Sequence, residues 1–149
     1  MDSTPRMDGY VTLGRSGLRI SPFCLGTMTF GTEWGWGSEE SAARTIFNEY
    51  LEAGGNFVDT ADGYTQGQSE RWVGRFIRER NLRDRVVLVT KFTFNNDAGN
   101  PNAGGNGRKN ICRALEGSLK RLETDFIDLY WLHAWDTITP RRGSPCDAE

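Results

Sequence analysis

The chain has 149 residues, one domain's worth, with 37% hydrophobic and 26% charged side chains, a balance that excludes disordered, fibrous and membrane classes. Its 18 basic and 20 acidic residues give a net charge of −2 without a long run of either sign, which excludes a nucleic-acid footprint. No apolar stretch approaches the roughly 20 residues of a membrane span, so a cytoplasmic protein is expected.

The predicted elements begin with a hairpin. Val11-Thr12-Leu13 and Leu18-Arg19-Ile20 flank the glycine-bounded turn Gly14 to Gly17, a short two-strand pattern. A strand through Phe23-Cys24-Leu25-Gly26 follows, then a loop rich in Gly, Thr and Trp up to Ser38. Ser38 is expected to cap a first helix whose opening turn carries Glu39 and Glu40 and whose buried face is Ala42, Ile46, Phe47, Tyr50 and Leu51. Gly54-Gly55 should end it. The unit then repeats: strand Asn56 to Asp59, loop Thr60 to Gln68, and a helix from about Ser69 burying Trp72, Val73, Phe76 and Ile77. Strand Val86 to Lys91 leads into a glycine-rich loop, Phe92 to Gly107, read as a flexible cover or a plain surface loop. A third helix from about Arg108 buries Ile111, Leu115, Leu119 and Leu122, and strand Phe126 to Leu132 completes the series. Strands rich in Val, Ile and Leu alternating with helices mean parallel βαβ units of an α/β fold.

Cys24, Cys112 and Cys146 form no Cys-x-x-Cys pair and read as reduced thiols, the first two in the core, with no disulfide frame or metal site. Residues 1–140 are expected to form the domain and 141–149, which lack apolar periodicity, a disordered tail.

Three chemically distinct residues close apolar strands: Asp59, Lys91 and His133. Tyr64 follows Asp59 in the same loop. Singly, each has a duller reading: a turn-forming aspartate, a solvated lysine, a packed histidine and an ordinary tyrosine. Their joint placement at one end of a parallel sheet favours chemistry. Reducing a carbonyl needs an acid for the oxygen near neutral pH. A phenol, with an unperturbed pKa of about 10, is too weak unless an ammonium stabilises its anion, and an aspartate can hold that ammonium in place. A histidine alongside can donate to the carbonyl oxygen.

The residues resemble a known family. Asn56-Phe57-Val58-Asp59-Thr60-Ala61-Asp62-Gly63-Tyr64, Val89-Thr90-Lys91-Phe92, Asp125 to His133, and Leu25-Gly26-Thr27-Met28-Thr29-Phe30-Gly31 are similar, in order, to segments of the N-terminal half of aldo-keto reductases. The resemblance runs from about Tyr10 to Pro140. It implies a (β/α)8 barrel of which about four βα units are present here, a nicotinamide cofactor, usually NADPH, and reduction of small aldehydes or ketones. Tyr64 would be the proton donor, Lys91 and Asp59 its tuners and His133 the orienting group. Gly26, Thr27 and Met28, with Asp59, would lie along the cofactor, and Trp34 and Trp36 could line the substrate pocket or merely anchor the loop.

Such barrels take about 250 residues and draw their phosphate site from late loops. The chain is therefore expected to carry the site without the closing half, leaving its activity open, and to be either a truncated product that folds poorly, which the change of text after Pro140 favours, or a half-barrel completed by another copy or a partner chain. The glycine-rich loop offers no substitute, because it lacks the Gly-Lys-Ser/Thr ending of a phosphate loop. The rival reading is a non-catalytic interaction protein derived from the same fold, since relatives of the family serve as channel-associated subunits.

Overall fold

A hairpin precedes the main sheet. In the computed structural model, which describes residues 6–140, β1 (Val11–Thr12) pairs antiparallel with β2 (Arg19–Ile20). Four strands follow in a parallel sheet of order β3-β4-β5-β6: β3 (Leu25–Gly26), β4 (Phe57–Asp59), β5 (Val87–Phe92) and β6 (Leu129–Leu132). Helices α1 (Glu40–Glu52), α2 (Gln68–Glu79) and α3 (Arg108–Leu122) make the crossovers. Strand order equal to chain order is the winding of a parallel barrel wall. The expected α/β architecture of about four βα units behind a hairpin is thus present. The tail expected over 141–149 lies outside the described residues.

The core fills the space between sheet and helices. Val58 and Leu88 from the sheet meet Phe47 and Tyr50 of α1, Val73, Phe76 and Ile77 of α2 and Leu122 of α3. The face predicted for α2 is the buried one. On α1 the buried line is Ala43, Phe47 and Tyr50; Ala42 and Ile46 are exposed, because the helix is rotated to put Phe47 against Phe76 at 5.5 Å. On α3, Ile111, Leu115 and Leu119 only flank the contact. The buried line is Asn110, Ala114, Ser118 and Leu122, mostly small side chains, as a close helix crossing requires.

Ser38 does not cap α1. The helix starts one residue after Glu39, with no side-chain cap. Ser38 uses its backbone instead, donating to Thr29 O at 2.7 Å and accepting from Gly31 N at 3.1 Å, so it closes the tryptophan-bearing loop. Cys24 is exposed and Cys112 half-buried; Cys24 misses the core because it enters β3, an edge strand of the sheet. Among the described residues, no helix is long and apolar enough to cross a membrane.

Candidate active site

The parallel register sets the site. β4 pairs with β5 so that Asp59 stands opposite Val89, and β5 pairs with β6 so that Lys91 stands opposite Trp131. Asp59, Lys91 and His133 therefore arrive together at the carboxyl ends of three adjacent strands. His133 N donates to Phe92 O at 2.8 Å, extending the ladder and fixing the histidine beside the lysine.

Lys91 is the hub. Its Nζ donates to Asp59 Oδ2 at 2.5 Å, to the Tyr64 phenolic oxygen at 3.0 Å and to Thr60 O at 3.0 Å, so all three ammonium protons have partners. The pair is mostly shielded, with side-chain exposures of 17% for Lys91 and 25% for Asp59, which strengthens each charge-assisted bond relative to one in water. The Tyr64 ring meets His133 edge-on at 5.6 Å and Trp34 edge-on at 6.4 Å. Trp36 packs on Trp34 at 5.3 Å and Phe94 on His133 at 4.8 Å. One polar centre thus has an aromatic rim.

Burial first, and then the Lys91 charge, hold the His133 pKa below the usual histidine range against the opposing pull of Asp59. The imidazole is therefore neutral at neutral pH, with one N–H to give. Its Nδ1 is buried and makes no hydrogen bond.

Strain aims Tyr64. The turn Tyr64–Gly67 carries Thr65 (φ 45°, ψ 46°) and Gln66 (φ 57°, ψ 36°) in the left-handed region, where a β-branched residue is rare. Thr65 is held there by its hydroxyl, which donates to Phe30 O at 2.7 Å and accepts from Ser69 N at 3.1 Å. Gly31 makes room: a Cβ there would lie 2.6 Å from Thr65 Oγ1. Such strain is characteristic of functional turns.

A knot of buried hydroxyls fixes the floor. Thr27 Oγ1 donates to Asp59 O at 2.9 Å and lies 2.8 Å from Ser69 Oγ, which is 3.0 Å from Thr60 Oγ1. This holds the Thr60 carbonyl that Lys91 uses. Thr27 is fully buried, and its backbone is engaged as well, its N–H donating to Asp59 O and its carbonyl accepting from Phe30 N and Ser69 Oγ, so it supports the floor from beneath and does not face a ligand. Gly26 has nothing within 4 Å of where a Cβ would stand, and Met28 is exposed.

Thr60, Thr65 and Phe94 escaped the sequence reading. Only the sequence Thr60-Ala61-Asp62-Gly63, read as a turn, hinted at the first. The glycine-rich loop is not a free cover. Gly105 N donates to Thr93 O at 2.7 Å, Thr93 Oγ1 to Asn106 Oδ1 at 2.7 Å, and Asn106 N to Asp136 Oδ2 at 2.7 Å. These bonds pin the loop to the segment after β6.

A parallel βα wall whose strand ends gather a lysine, an aspartate, a tyrosine and a histidine defines a class of barrel oxidoreductase folds. The family model described as "Aldo/keto reductase family" matches residues 22–148, and the chain belongs to that family. It is 41% identical over 145 residues to the norsolorinic acid reductase of Aspergillus flavus, which covers 91% of this chain and 37% of that protein. It is 38% identical over 129 residues to an aryl-alcohol dehydrogenase of Pestalotiopsis microspora, covering 82% and 34%. Among solved structures, an aldo-keto reductase from Bacillus halodurans in its holo form superposes with a TM-score of 0.68 at 38% identity, over 83% of this chain and 39% of that one. The chain spans little more than a third of the length of the curated relatives it matches.

Proposed function

We propose that the strand-end centre reduces aromatic aldehydes or ketones to alcohols, with Tyr64 as proton donor. The observation that carries this reading is the Lys91 ammonium shared between the Asp59 carboxylate at 2.5 Å and the Tyr64 oxygen at 3.0 Å. The relatives named for reduction of norsolorinic acid and oxidation of aryl alcohols support the reaction class, and the rim of Trp34, Trp36 and Phe94 supports an aromatic substrate.

In this reading a bound nicotinamide cofactor, NADPH by family resemblance, supplies the hydride. The open backbone at Gly26 and the exposed Met28 fit a flat group laid along β3, with the buried Thr27 bracing the strand beneath it. Tyr64 hands its proton to the substrate oxygen. Lys91 stabilises the negative charge that develops on the phenolic oxygen, and Asp59 keeps the ammonium in place. Neutral His133 donates to the substrate oxygen and sets its direction, and Trp34 walls the pocket.

Tyr64→Phe keeps the ring and removes the hydroxyl, and with it both the proton and the Lys91 hydrogen bond. With 2-naphthaldehyde and NADPH, turnover is expected to fall by at least about a hundredfold, the size of a lost general acid. Turnover retained within a few-fold would sink the assignment of Tyr64.

A further inference from the structure

Beside the catalytic centre, the loops after β3, β4 and β5 enclose an open cavity of about 640 Å3 bounded by Trp34, Gly63, Asp62, Asn96, Arg71 and Arg121. It is separate from the Asp59–Lys91–Tyr64 contact and adjoins it at two residues. Gly63 precedes Tyr64 in the chain, and Trp34 presents its edge to the Tyr64 ring.

Two observations give the cavity its chemistry. Of the three arginines on α2, Arg75 and Arg78 are ion-paired with Glu40 and Glu123, whereas Arg71 has no carboxylate partner among the described residues and makes only a long 3.4 Å bond to Gln66 O. Arg121, on the same wall, is already committed to Glu70 at 2.6 Å. One guanidinium lining the cavity is therefore without an ion-pair partner among the described residues. The second observation is Asp62, which is only 5% exposed and whose Oδ1 has no hydrogen-bond partner. A cavity with an indole wall, an uncommitted guanidinium and an unfilled buried acceptor is built for a flat ring bearing polar substituents.

We propose that this cavity is a second subsite, in which Arg71 receives the carboxylate of an aromatic carbonyl compound whose ring lies against Trp34 and whose carbonyl group reaches Tyr64. The choice of ligand rests on the reductase reading above; the charge preference does not.

The test is equilibrium binding to the full chain without cofactor, followed by tryptophan fluorescence, comparing 6-formyl-2-naphthoate with its methyl ester. An exposed guanidinium–carboxylate pair is worth up to about 1 kcal/mol, so the acid is expected to bind about fivefold more tightly than the ester. Arg71→Gln should erase that preference and leave the ester's affinity unchanged, and Arg71→Lys should keep part of it. Equal binding of acid and ester to the unaltered chain, a preference that survives Arg71→Gln, or no saturable binding of either compound overturns the subsite. Because the readout is binding, the two readings fail separately. A charge preference without turnover sinks the reductase reading alone, and turnover without the preference sinks the subsite alone.

Discussion

Asp62 shows how a single buried group ties the site to pH. Its carboxyl is pushed up to about 6, first by burial and further by the Glu70 charge, against the Asn96 hydrogen bond, Arg121 and the Gly63 amide. A carboxyl that holds its proton more tightly in the folded chain than at the ordinary 3.8 contributes stability that is fully present below about pH 4 and is lost as the pH rises through about 6. Asp62→Asn removes the titration while keeping the shape. Relative to this variant, the unaltered chain is expected to lose stability between about pH 4 and 7, by at most about 3 kcal/mol, read from urea unfolding at a series of pH values. A stability difference that stays flat across that window would show that Asp62 is not held protonated by its surroundings. At this scale the sequence was informative through joint placement: Asp59, Lys91, Tyr64 and His133 each have a bland reading singly, but were candidates together at strand ends, and the structure brings the four side chains together. Thr60 and Asp62 could not be found in this way, since a carbonyl acceptor and an unfilled carboxyl oxygen have no side-chain signature.

The elements were legible wherever one periodicity governed burial. Helix α2 satisfies this, because Trp72, Val73, Phe76 and Ile77 all face the same core. Helix α3 departs from it, because its contact with α2 selects for smallness over hydrophobicity. The cause is Gly74: a Cβ there would lie 2.3 Å from Leu122 O, so the two helices cross backbone to backbone. Gly74→Ala must push α3 outward, and overpacking of this kind costs about 1–3 kcal/mol. A loss in that range, measured by urea unfolding, is expected even though alanine has the higher helix propensity. A variant as stable as the unaltered chain would mean that the crossing is looser than the geometry indicates. Arg121 and Glu70 reach across the same contact, with Thr90 Oγ1 donating to Glu70 Oε1 at 2.6 Å, so displacement of α3 also disturbs the residue next to Lys91. Gly74→Ala should therefore weaken ligand binding at the strand ends as well as stability. The glycine-rich loop was hardest to read, because the bonds that pin it join its two ends, Thr93 to Gly105 and Asn106, and run on to Asp136, separations that leave no local signal in the sequence.

At the scale of the whole molecule, the four-strand sheet presents β3 and β6 as its two edges. Among the described residues the β6 edge is apolar as well as unpaired. Trp131 and Leu132 are about half exposed, and Trp135 and Ile138 beyond them are 61% and 89% exposed. A row of free backbone donors and acceptors flanked by large apolar side chains is a template for another strand, and a patch of this kind favours association over solvent contact. The 149-residue chain is expected to sediment as assemblies whose size grows with concentration over the micromolar to millimolar range. Leu132→Lys combined with Ile138→Lys should shift it toward monomer, because a charge on an edge strand opposes pairing. A compact monomer for the unaltered chain across that range would refute the expectation. The same edge bears on chemistry, because Trp131 stands opposite Lys91 in the ladder and on the same face of the sheet. Whatever strand pairs with β6 therefore also walls the lysine and His133, so bound aromatic ligand and assembly should favour each other by mass action. Sedimentation with saturating 2-naphthaldehyde should shift toward larger species, and an unchanged distribution would show that the edge and the site are independent.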